Sequence, residues 1–85
     1  MFDLIFSSQS RNFLKNVEEI SWDRIVKKIE GLRINPFPQD VKRVINQKDK
    51  VFRVRVGDYR ILYVLIKNEN KLFISKIEKR SKAYD

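Results

Sequence analysis

The chain has no cysteine and no histidine. Without cysteine there is no disulfide framework and no thiolate zinc site, which fits a reducing compartment. Without histidine a metal would have to be held by carboxylates alone, and the 11 acids are scattered, so neither a metal nor another cofactor is expected. The same absence removes the side chain most often used for general acid–base work. Two glycines and two prolines leave little room for long loops. No run approaches the roughly 18 apolar residues that span a membrane, and the N-terminus lacks the charged-then-apolar layout of a signal peptide. A cytoplasmic protein without membrane contact is expected.

What is present is positive charge. Lysine and arginine number 19, and the net charge is +8 in 85 residues. A surplus this large in one small domain points to an acidic partner: nucleic acid, an acidic protein or an anionic membrane. Hydrophobic residues at 42% suffice for a folded core and are too many for disorder. A chain this short buries only about 60–65% of its unfolded surface, so every apolar face counts.

Local patterns predict the elements. Phe2 to Phe6 is short, mostly apolar and reads as a strand. Ser7-Ser8 is a helix cap, with a helix following through Phe13, Leu14 and Val17. Ser21 is placed to cap a second helix, with Asp23 in its first turn. Trp22, Ile25, Val26, Ile29 and Leu32 recur at helical spacing and are read as one core-facing side. Pro36 and Pro38 forbid continuation.

From Val51 the period changes to two. Val51–Val56 and Tyr59–Ile66 are strands around Gly57-Asp58, a pair suited to a type II′ turn. That turn dictates the register. Val56 faces Tyr59, Val54 faces Ile61 and Phe52 faces Tyr63, all on the core side. Arg53 and Arg55 then lie on the other face, with Arg55 directly opposite Arg60. Like charges so placed weaken a hairpin; the arrangement makes sense if an anion sits between them. A third strand from Leu72 to Lys79 follows a loop at Asn68-Glu69-Asn70, with Asn70 left-handed. Its register sets Ile61 against Ile77, Leu65 against Phe73 and Arg60 against Glu78, with Arg80 just beyond. The fold class is α+β, ordered β-α-α-β-β-β. Two N-terminal helices pack on one face of a twisted antiparallel sheet, and a basic concave face lies opposite, all in one domain over residues 1–85.

A site of this composition suits cleavage of RNA through its own 2′-hydroxyl. That chemistry needs a proton acceptor, a proton donor and cations for the phosphate. Arg60 and Arg80 suit the phosphate because a guanidinium grips two oxygens at once. Arg53 and Arg55 can position flanking phosphates, with Lys79 and Lys82 adding positive charge. Tyr84 is the candidate for proton transfer, since nearby arginines favour the phenolate. Each has a plainer reading beside it. Arg60 can simply pair with Glu78, the strand arginines can be a solvated face, and Tyr84 can be a packed or frayed end.

The run Phe52-Arg53-Val54-Arg55-Val56-Gly57-Asp58-Tyr59-Arg60-Ile61-Leu62-Tyr63 resembles the central signature of the RelE/ParE toxin superfamily. The ending Lys79-Arg80-Ser81-Lys82-Ala83-Tyr84 resembles that family's C-terminal motif, with lysine at 79 where many relatives have histidine. The arginine-to-tyrosine spacing favours the RelE branch. The resemblance implies a single RelE-like toxin domain of a type II toxin–antitoxin system. It implies a metal-independent endoribonuclease that enters the ribosomal A site, cuts the mRNA there and stops translation. It also implies an acidic RelB-like antitoxin as partner. Carried over residue by residue, catalytic roles fall on Arg60, Arg80 and Tyr84, and RNA-binding roles on Arg53 and Arg55. Two alternatives remain: a ParE-like toxin that inhibits gyrase without RNA chemistry, and a nucleic-acid-binding module whose nuclease has decayed.

Overall fold

The computed structural model describes residues 1–45 and 50–80. In chain order the elements are β1 (Asp3–Phe6), α1 (Ser8–Asn16), α2 (Glu19–Ile34), β2 (Lys42–Arg43), β3 (Val51–Val56), β4 (Tyr59–Ile66), a 3-10 turn (Lys67–Glu69) and β5 (Lys71–Lys79). The expected α+β order is present, with the short strand β2 added between the helices and the hairpin.

The first helix begins as its cap residue dictates. Ser7 is extended, and its Oγ accepts the Ser10 backbone N–H at 3.1 Å. The second helix starts earlier than Ser21 suggested. Its cap is Glu18, and Ser21 sits inside the first turn, donating its hydroxyl to Glu18 Oε1 at 2.8 Å. Two extended residues, Val17 and Glu18, separate the helices. Trp22 is a second correction, because it is 42% exposed rather than core. The buried stripe of α2 is Ser21, Ile25, Ile29 and Leu32. That stripe is narrow, and Trp22 lies on its flank one residue round the helix.

The sheet has five strands in the order β1-β5-β4-β3-β2. It is mixed rather than wholly antiparallel, because β1 runs parallel to β5. A parallel neighbour needs a long connection, and the helix pair supplies one. Between β3 and β4 the register follows the turn, from Val56 opposite Tyr59 to Val51 opposite Val64. Gly57 has φ +55°, and among the described residues Asn70 is the non-glycine with positive φ. A turn with only its first central residue at positive φ is of the II′ kind. A Cβ at Gly57 would also come within 3.1 Å of the Arg24 guanidinium.

Between β4 and β5 the register holds at Arg60–Glu78 and Ile61–Ile77, then shifts. Leu65 pairs with Leu72 rather than Phe73, because Ser75 is an extra residue forming a bulge. The shift has a clear reason. It turns Leu72 and Ile74 into the core, both fully buried, where an unbroken register would have placed Phe73 and the polar Ser75. The bulge is satisfied locally: Ser75 Oγ donates to the Leu62 carbonyl at 3.1 Å, and the Ser75 carbonyl accepts from Ser7 Oγ at 2.8 Å. Asn70 is left-handed as expected, at φ 56°, though the turn before it starts at Lys67.

The core lies between the helices and one sheet face. Ile25, Ile29 and Leu32 meet Val54, Ile61, Tyr63, Leu72, Ile74 and Ile77. Burying each such side chain stabilises the fold by roughly 1.5–3 kcal/mol. Among the described residues no helix is long and apolar enough to cross a membrane.

Candidate nucleic-acid interface

Strand alternation carries charged residues onto the sheet face away from the helices. There Arg55 on β3 stands directly opposite Arg60 on β4, and Arg60 stands opposite Glu78 on β5. Arg55, Arg60 and Glu78 therefore form a row across three strands. Arg60 Nη2 lies 3.4 Å from Glu78 Oε1, and Lys76 Nζ lies 3.7 Å from Glu78 Oε2. Arg53 is two residues from Arg55 and lines a shallow hollow with it, beside Lys42 and Asp40.

Arg80 follows the end of β5 and is tied to the hairpin turn. Its backbone N–H donates to the Asp58 carbonyl at 2.6 Å, and its Nη1 donates to the Gly57 carbonyl at 3.3 Å. These contacts hold the start of the C-terminal motif against the β3–β4 turn, at the same end of the sheet as Arg55 and Arg60. The Nε atoms of Arg60 and Arg80 are buried.

Lys79 is not brought to this face. It pairs with Tyr59 and lies on the helix side, in a notch with Gln9, Asn12 and Phe13. Alternation explains this, since Glu78 takes the arginine side. Tyr84 and Lys82 lie outside the described residues. Tyr63 is sealed in the core, its hydroxyl donating to the Pro36 carbonyl at 2.6 Å. Burial pushes its phenol well above the usual range, and the nearby Asp40 charge adds to this. Tyr59 packs edge-on to Phe13 with ring centroids 5.7 Å apart.

Three features were not legible in the sequence. One is how α1 supports β5. Strand β1 ends at Phe6 opposite Ile74, and side chains of α1 then stand in for the missing strand. Gln9 Nε2 donates to the Ile77 carbonyl at 2.8 Å, Gln9 Oε1 accepts the Ile77 N–H at 3.0 Å, and Ser10 Oγ donates to the Ile74 carbonyl at 3.0 Å. The strand segment that delivers Glu78 and Arg80 is thereby anchored. The second is an open apolar groove of about 940 Å³ with Phe6, Leu14, Trp22 and Val26, rimmed by Arg11 and Lys15. The third is that the open sheet face also carries an apolar stretch away from its hairpin end. At the other end Ile5, Val64 and Phe73 lie side by side, half-buried.

The family described as the ParE toxin of type II toxin–antitoxin systems, parDE, matches residues 4–84. A protein of Methanocaldococcus jannaschii named as a candidate toxin RelE1 is 35% identical over 74 residues, covering 84% of this chain and 81% of that protein. In the crystal structure of the archaeal RelE–RelB complex from Pyrococcus horikoshii OT3, one chain superposes with a TM-score of 0.81 at 22% identity, over 95% of this chain and 97% of that one. The isolated E. coli RelE toxin superposes with a TM-score of 0.79 at 17% identity, over 99% of this chain and 92% of its own. At these identities the structural likeness speaks for the fold.

Proposed function

Because this chain belongs to the ParE toxin family of type II toxin–antitoxin systems, within the RelE/ParE superfamily, we propose that it is a RelE-like, ribosome-dependent endoribonuclease that cleaves mRNA in the A site. The observation that carries this reading is the convergence of cations at one end of the open face. Arg55 and Arg60 oppose each other, and Arg80 is held beside them by the hairpin turn. Like charges directly opposed weaken a sheet by a few tenths of a kcal/mol or more, and a phosphodiester between them converts that cost into binding. Arg60 and Arg80 hold the scissile phosphate and stabilise the charge that builds on it. Arg53 and Arg55 position flanking phosphates, with Lys82 adding charge. Tyr84 transfers a proton. No step needs a metal.

The partner is an acidic RelB-like antitoxin. The basic rim of the groove and its apolar floor support a partner that covers apolar as well as basic surface. A second reading, a ParE-like toxin inhibiting gyrase, is favoured by the description of the matching family. It uses the same fold without RNA chemistry.

The test is primer extension on mRNA in a programmed ribosome with an empty A site. We expect a cut within the A-site codon that Arg80→Ala suppresses, and that Tyr84→Phe suppresses without loss of ribosome binding. A folded protein that arrests growth and leaves the message intact moves the assignment to a protein target.

A further inference from the structure

Within the nuclease reading, which is the premise for assigning a base, Tyr84 cannot in one step both take the 2′-hydroxyl proton and protonate the 5′-oxygen, so one of the two roles needs a second group. The chain has no histidine. Tyr63 is locked in the core, and Tyr59 lies on the helix side. Lysine and arginine carry donors and no acceptor. A carboxylate is left. Asp40 is engaged by Lys28 at 3.0 Å, and Asp58 sits in the hairpin turn. Glu78, in contrast, stands in the same cross-strand row as Arg55 and Arg60.

Its environment suits the task. The side chain is 27% exposed, so a substrate can reach it. Its two oxygens face Arg60 at 3.4 Å and Lys76 at 3.7 Å. Both distances exceed the roughly 2.7–2.9 Å of a charge-assisted hydrogen bond. These are loose ion pairs that orient the carboxylate and leave its lone pairs available to a hydroxyl. The spacing also fits. Adjacent strands lie about 4.7–4.9 Å apart, so a phosphate gripped by Arg60 is roughly one strand from Glu78. In an attack-ready substrate the 2′-oxygen is about 3–3.5 Å from phosphorus, which brings its proton within reach.

The carboxylate is also out of place on a surface meant only for binding. A negative charge beside a polyanion site weakens binding, and glutamine would serve such a surface better.

We infer that Glu78 is the general base: it accepts the 2′-hydroxyl proton as the 2′-oxygen attacks phosphorus and the P–O5′ bond breaks. The products are a 2′,3′-cyclic phosphate and a 5′-oxygen that takes its proton from Tyr84 or water. The substrate class is therefore RNA with a free 2′-hydroxyl at the scissile position.

The test is Glu78→Gln, measured by single-turnover cleavage and by ribosome affinity in the programmed complex. A base of this kind contributes about 10²–10⁴-fold, so cleavage falls by that much while affinity stays level or rises. A second substrate carries sulfur in place of the scissile 5′-oxygen, a leaving group that needs no proton. It restores cutting by Tyr84→Phe and fails to restore cutting by Glu78→Gln. Glu78→Asp, which keeps the carboxylate, retains intermediate activity. Cleavage by Glu78→Gln within about threefold of wild type overturns the assignment, as does its rescue by the sulfur substrate. Parallel loss of affinity and cleavage in Glu78→Gln also overturns it, because that marks an ion pair that merely holds Arg60. A message left intact by the wild-type protein fails the nuclease reading itself, and this inference falls with it.

Discussion

The two faces of the sheet are cut from the same strands and do opposite work. On the helix side, Val54, Ile61, Tyr63, Ile74 and Ile77 are at most 1% exposed. On the other side, Arg53, Arg60 and Glu78 are partly exposed and Arg55 is exposed. One face accumulates apolar burial, and the other accumulates charges that a stable hairpin would avoid. On the proposed function, the difference teaches that stability and activity are separable by side-chain parity: neighbouring residues on one strand belong to different tasks.

The largest break in that division should come from the covered face. Ile61→Ala removes a fully buried side chain packed at the centre of the core. A substitution of this type costs about 2–5 kcal/mol. In a domain this small, the midpoint of thermal unfolding followed by circular dichroism should drop by about 10 °C or more, at about 4–8 °C per kcal/mol. A shift of only a degree or two would mean that the core is not where the structure places it.

Arg80→Ala tests the other half of the comparison. Removing one charge-stabilising donor costs roughly 10²–10³-fold in turnover, while unfolding should move by less than about 1 kcal/mol, the value of a typical hydrogen bond. A variant that unfolds would show that Arg80 belongs to the scaffold, through its bond to the Gly57 carbonyl. The smallest of the three effects should come from Gly57→Ala, where both faces meet. Residues forced to positive φ cost about 1–3 kcal/mol, and the added Cβ would press on Arg24. We expect destabilisation near the low end, because the Arg24 side chain is flexible, with cleavage reduced through a displaced Arg80. Unchanged stability would argue that the turn relaxes to another type.

Much of the hairpin was legible because its information is local. Two residues at the turn dictate which residues face each other, and period-two alternation then assigns every side chain to a face. The opposition of Arg55 and Arg60 follows from that alone. The pairing of Arg60 with Glu78 does not: counted from the observed turn, where Ile66 faces Lys71, an unbroken register would set Arg60 against Ile77, and the bulge at Ser75 brings Glu78 there instead. Lys79 could have been assigned to the helix side by the same alternation, but its place in the C-terminal motif suggested otherwise. Trp22 was misread because spacing on a helix defines a broad side, and only packing shows which part of it is covered.

Local chemistry in the chain was enough for the charge surplus, the Ser7 cap, the II′ turn, the left-handed Asn70 and the opposition of Arg55 and Arg60. All depend on contacts within a few residues or on strict alternation. The parallel seat of β1, the bulge at Ser75 and the clamp of Gln9 on Ile77 depend on partners far apart in sequence, 68 residues in the case of Gln9 and Ile77. Each of these arises because a buried backbone group must find a donor or acceptor somewhere in the folded molecule, and local periodicity carries no record of which distant group will supply it.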